Sequence, residues 1–150
     1  MTIRFDISEA FMAVGIAVIS ADERCTAKET MMMLEMFKKL DLLTVAPDED
    51  YEEAWEALFD RTLSKIDRAF PERYLSMSDA HLVELMRAIL KTVPKDRAET
   101  LFRLAVAVAV ADGIEPRELS IIKRLRKALK IEPELARKIV AQSKTLALKI

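Results

Sequence analysis

The sequence predicts an all-α fold: one bundle of about seven helices spanning residues 1–150, built from two related αα-hairpins that would pack about a pseudo-twofold axis. Three observations lead there. Apolar residues are 51% of the chain with only two glycines, and they recur at helical spacing. Residues 11–42 read like residues 101–131. No segment carries β-hairpin turn chemistry. The run AVAVAVA at 105–111 imitates a strand, but a half-buried strand alternates apolar with polar, and here every residue is apolar. Extended leftwards to ETLFRLAVAVAVADG, it places Leu101, Leu104, Ala105, Val108 and Ala111 on helical spacing. Its alanines favour helix, and the valines tolerate it where packing offsets their stiffness. It is therefore a buried helix.

The other elements follow in order. A helix over 7–20 opens on Asp6-x-x-Glu9, the spacing of a capping box ahead of an apolar run, and one over 27–40 opens on the same device, Thr26 with Glu29. Helices over 49–69, 79–92 and 96–111 come next, punctuated by Pro47, Pro71 and Pro94. The last two, 116–130 and 133–147, begin on Pro116 and Pro133, where a missing N–H costs nothing. On the second helix Met32, Met33 and Met36 share the core face while Met31 is peripheral; three consecutive thioethers point in three directions and read as packing, not as a soft-metal site.

The duplication aligns Ala17, Val18, Ala21 and Asp22 with Ala107, Val108, Ala111 and Asp112. After a one-residue gap, Glu29 meets Glu118, Lys38 meets Lys127 and Leu40 meets Leu129. Each copy is a buried helix, an acid-bearing turn and an amphipathic helix.

Charge and composition exclude several classes. Residues 1–75 hold 9 Lys and Arg against 16 Asp and Glu, and residues 76–150 hold 15 against 9, so a chain of net charge −1 is strongly dipolar. The acidic segment DEDYEEAWE (48–56) is a candidate docking surface, with Tyr51 and Trp55 as a candidate anchor; Trp55 with Phe59 reads more simply as core. The basic helix 116–130 turns Ile121, Ile122, Leu125 and Leu129 inward and crowds Lys123, Arg124, Arg126, Lys127 and Lys130 outward. This is either a solvated face or a surface for an acidic protein partner or an anionic lipid. The overall balance argues against a nucleic-acid binder. The apolar runs 10–19 and 104–111 fall well short of the roughly 20 residues of a membrane span. Asp6 and Glu9 put negative charge where a signal peptide needs positive, so the N-terminus reads as mature and the chain as cytoplasmic. The lone Cys25 excludes an intrachain disulfide and reads as an ordinary turn thiol; His81, in the first turn of its helix, reads as solvated. With no G-x-S-x-G and no phosphate loop, the chain reads as a non-enzyme.

The acids of the two turns are the candidate functional groups. Asp22 and Asp112 each end a helix, where a carboxylate meets the negative end of the dipole at a cost of ~0.3–1 kcal/mol unless something compensates. One compensator is a hard divalent cation (Ca2+, Mg2+ or Mn2+) held by Asp22, Glu29, Asp112 and Glu118, since oxygen ligands suit these ions better than Zn2+. The other is structural, with Asp closing its own turn or accepting N–H bonds from the following helix. An EF-hand is excluded, because Val108 and Val110 stand where its loop requires acids.

The pattern A-V-A-x-A-D-G-x4-E within Ala105–Glu118, with its degenerate partner Ala17–Glu29, resembles the TerB-like tellurite-resistance family, and also the N-terminal region of certain membrane-anchored J-domain co-chaperones. The resemblance implies a duplicated helical bundle in a bacterial cytoplasm, associated with resistance to tellurium oxyanions and other stresses, with acidic positions that are candidates for a metal cation. The first copy departs from the pattern: Asp22-Glu23 replaces Asp-Gly, and the step from Asp to Glu is seven residues instead of six. The expectation is a non-enzymatic, tellurite-resistance-type stress-response protein that binds a divalent cation at its acidic turns. The alternative is a protein-interaction module in which those acids are structural.

Overall fold

The computed structural model describes residues 3–20, 26–71, 78–111, 113 and 116–148. Within them the chain forms α1 (Ile7–Ser20), α2 (Ala27–Lys39), α3 (Tyr51–Ala69), α4 (Asp79–Thr92), α5 (Ala98–Val110), α6 (Pro116–Leu129) and α7 (Pro133–Ala147), with a 3-10 turn at Lys95–Arg97 and no strand among the described residues. The all-α expectation holds, and the boundaries fall within two residues of those predicted. Helix α3 starts at Tyr51 instead of 49 because Asp50 caps it, accepting the Glu53 N–H at 3.1 Å. Helix α5 starts at Ala98 because the chain leaving Pro94 first makes the 3-10 turn, whose Arg97 places its guanidinium 5.0 Å from the Phe11 ring centroid.

Two helices are apolar on all sides and lie at the centre. Every residue of α1 from Glu9 to Ile19 is buried, and so is every residue of α5 from Leu101 to Val110 except Arg103. A helix without a polar face must be covered all round, and the packing supplies this. Helices α1 and α5 pack on each other; α3 and α4 cover α1, while α2, α6 and α7 cover α5. The core faces predicted for α2 and α6 are the ones observed. Met32, Met33 and Met36 are buried and Met31 is 54% exposed, while Ile121, Ile122 and Leu125 are buried and Leu129 is partly so. The first central helix comes close to α2 at Gly15, where a Cβ would run into the thioether of the fully buried Met33.

The aligned hairpins also end in the same way. After α2, Asp41 turns left-handed (φ 53), and the Leu42 N–H donates to the Phe37 carbonyl at 3.0 Å. After α6, Lys130 turns left-handed (φ 58), and the Ile131 N–H donates to the Arg126 carbonyl at 3.0 Å. In both, the next residue is apolar and buried, Leu42 and Ile131, which is the hydrophobic contact that accompanies a left-handed helix closure.

Two stability outcomes follow from this geometry. Gly15→Val overpacks the α1–α2 contact and should destabilise by about 1–3 kcal/mol in urea unfolding. Lys130→Gly relieves a left-handed residue that glycine adopts without strain and should stabilise by about 0.5–1 kcal/mol; an unchanged or lower midpoint would show that the closure is not strained.

Candidate functional site

Each acidic turn runs from the C-terminus of a central helix to the N-terminus of an amphipathic one. Asp22 and Asp112 lie outside the described residues, as does Cys25, but both downstream glutamates are in place. Glu29 is the third residue of α2 and Glu118 the third of α6, and they are 2% and 1% exposed. The predicted box on α2 is complete. The Glu29 N–H donates to Thr26 Oγ1 at 3.2 Å, and Glu29 Oε1 accepts from the Thr26 N–H at 3.3 Å and from its hydroxyl at 3.0 Å. In the second turn Gly113 has φ 85, a left-handed conformation that glycine takes at no steric cost and other residues rarely adopt. That accounts for the Asp-Gly pair preceding α6. Among the described residues no group of three or more His, Cys, Asp or Glu side chains is arranged to hold a metal ion.

A third buried glutamate is the one whose role the sequence understated. Glu9 was expected only to cap α1, and it does: Asp6 N–H donates to Glu9 Oε1 at 2.9 Å, and Glu9 N–H to Asp6 Oδ1 at 2.8 Å. In addition, Arg61 Nε reaches Glu9 Oε2 at 3.0 Å and Lys65 Nζ reaches Oε1 at 2.8 Å, both from α3. The carboxylate is 2% exposed, whereas Arg61 and Lys65 keep 52% and 36% of their side-chain surface in water. Burial alone would raise the Glu9 pKa, but the Lys65 bond, the Asp6 amide and Arg61 outweigh it and hold the carboxyl below its ordinary value. Lys65 also donates to the Arg4 carbonyl at 2.9 Å. One side chain thus caps α1 and fastens α3 to it. The i,i+4 pair of cations on α3 was visible in the sequence; their meeting with a residue more than fifty positions away was not.

The remaining candidates resolve plainly. Trp55 is 5% exposed, edge-on to Phe37 (centroids 6.3 Å apart, 82°) and 5.7 Å from Phe59, so it is core and not an interface anchor. Tyr51 beside it is half-buried under Lys38, and burial, then the Asp41 charge, pushes its phenol pKa up. His81 corrects an expectation. It is not simply solvated but half-buried, stacked on Phe70 with centroids 4.6 Å apart, a contact made by the meeting of α4 with the end of α3. On α6, Lys123, Arg124, Lys127 and Lys130 are exposed as predicted, while Arg126 is half-buried and donates to the Ile131 carbonyl at 3.1 Å. No helix among the described residues is long and apolar enough to cross a membrane.

These features define a class, an all-α bundle with two buried central helices and a buried glutamate at the head of each following helix. The chain matches the family described as tellurite resistance protein TerB over residues 8–141, and it belongs to that family. TerB is not a known enzyme family. No curated protein and no solved structure matches the chain.

The Glu9 geometry sets a pH dependence. Because the folded-state pKa is depressed, the contribution is fully present above the unfolded value near 4.3–4.5 and is lost as pH falls through the lower folded value. Glu9→Gln should lower stability at pH 7 by about 1–3 kcal/mol, and its melting temperature should fall less steeply than the wild type's between pH 5 and pH 3. Parallel pH profiles would assign the acid sensitivity elsewhere.

Proposed function

We propose that the chain is a non-catalytic protein of a tellurite-resistance-type stress response, acting in a bacterial cytoplasm, that takes up a hard divalent cation at its acidic inter-helix turns. Asp22 and Asp112 are the direct ligands in this proposal, and Glu29 and Glu118 complete the oxygen shell. The observation that carries it is the burial of Glu29 and Glu118 at the same helical position, each directly downstream of a turn bearing an aspartate. Ligating a metal is one way of stabilising a carboxylate held from water, beside hydrogen bonding and ion pairing, and an all-oxygen donor set suits Ca2+, Mg2+ or Mn2+.

A second reading is favoured by the intact Thr26–Glu29 capping box, which already gives one of these carboxylates a structural task. There the acids are structural and the protein acts by docking partners, through the acidic segment 48–56 or the basic helix 116–130.

Thermal melting separates the two. On the cation reading, Ca2+ or Mn2+ at a hundred times its Kd adds about 2.7 kcal/mol of stability, EDTA removes it, and Asp112→Asn abolishes the response while leaving a folded protein. A melting temperature indifferent to millimolar cation and to EDTA, with Asp112→Asn merely less stable, would sink the cation reading and leave docking.

A further inference from the structure

Helices α4 and α6 do not close on each other. Helix α4 rests on α1, and α6 rests on α5 and the flank of α1. Between α4 and α6 lies a groove in two connected parts. One, of about 510 Å3, lies between the N-terminal stretches of the two helices, with Asp79 and Leu82 facing Pro116, Arg117, Ser120 and Ile121 over Ala17 of α1. The other, of about 540 Å3, lies between their C-terminal stretches, with Leu82, Val83, Met86, Arg87, Leu90 and Lys91 facing Arg124 and Ala128. Leu82 and Arg124 belong to both parts. The two helices therefore run side by side in the same direction, each showing one continuous stripe to the gap. From Pro116 to Ala128 the stripe is about 18 Å long at ~1.5 Å per residue, the length of three helical turns.

The floor is apolar and the rims are cationic. Leu82, Met86 and Ile121 are buried along the bottom, and Val83, 46% exposed, stands on the α4 wall. Arg87 and Lys91, one turn apart on α4, and Arg124 opposite them on α6 are all exposed. Among the described residues none of these three has an ion-pair or hydrogen-bond partner. Asp79, at the N-terminal end, is the one acid among the described residues lining the groove.

We propose that this groove is the docking site for an acidic amphipathic helix of a partner protein, whose apolar stripe fills the floor between Leu82, Met86 and Ile121 while carboxylates on its flanks meet Arg87, Lys91 and Arg124. Charge complementarity and shape both select that occupant. A slot with cations on both walls fits a rod with an apolar face and acidic sides, whereas an anionic membrane is a plane and cannot reach a concave floor. A second copy of this chain is a poor fit. Its acidic helix α3 shows Glu52, Glu53, Glu56 and Asp60 to solvent but no exposed large apolar side chain to fill the slot. The inference rests on the docking reading of α6 and not on the cation.

The test is a titration of the full 15N-labelled chain with an acidic amphipathic peptide of about five turns, carrying leucines at i, i+3, i+4 and i+7 and glutamates on both flanks, against a scrambled peptide of the same composition. The expected result is saturable binding of the patterned peptide alone, with amide shifts concentrated on α4 from Leu82 to Lys91 and on α6 from Ser120 to Ala128. Affinity should fall about tenfold or more in Arg87→Glu/Arg124→Glu and with added salt. Both positions are exposed, so melting temperature should be unchanged, and Val83→Ser should weaken binding without touching a charge. Shifts confined to Lys123, Lys127 and Lys130 would keep docking on α6 but overturn the groove. No binding of the patterned peptide, binding of the scrambled one equally well, or a salt-sensitive dimer abolished by the double variant would overturn the proposal, as would sedimentation with anionic phosphatidylglycerol vesicles that the peptide does not compete away.

Discussion

The structure depends on one constraint: two helices, α1 and α5, have no polar face to give to water. A helix apolar on one stripe needs one neighbour, but a helix apolar all round needs a complete shell. The shell is divided between them, α3 and α4 around the first and α2, α6 and α7 around the second, with their own contact joining the two halves. Small side chains make this possible. The alanines between the valines of α5, and Gly15 on α1, let neighbouring helices come near enough to exclude water.

Charge is organised around that apolar centre in two ways. At Glu9 a carboxylate is buried and answered by two cations that remain partly in water, a geometry in which the anion bears most of the desolvation and the pair locks α3 to the start of α1. At the α4–α6 groove the reverse holds: Arg87, Lys91 and Arg124 stand exposed beside an apolar floor, and no acid among the described residues pairs with them. The first arrangement is internally complete. The second has no pairing acid among the described residues, which is why the proposed occupant is acidic.

The two hairpins agree in detail beyond the residues that aligned. Asp41 and Lys130 share only their place in the alignment, yet both adopt the left-handed conformation and both are followed by a buried apolar residue bonded back to the same helical position. A closure of this kind constrains backbone and the residue after it more than the side chain at the turn, so it persists where the turn residue has changed sign. Glu29 and Glu118 show the same economy at the opposite end of the helix, holding the same position and nearly the same burial.

What the sequence determined by itself was local or periodic. The helices, their caps, the burial of 105–111 and the core face of Met32, Met33 and Met36 follow from spacing along one chain segment, because backbone hydrogen bonding and the helical repeat act over four residues. The candidate site was half legible for the same reason: Glu29 and Glu118 are placed by the helix that carries them, whereas the cations on Glu9 come from a helix more than fifty residues away. Tertiary structure alone decided which helices meet and which stay apart. The stacking of His81 on Phe70, the tie from Arg61 and Lys65 to Glu9, and the open slot between α4 and α6 exist only because side chains distant in sequence occupy the same surface, and no local propensity encodes that distance.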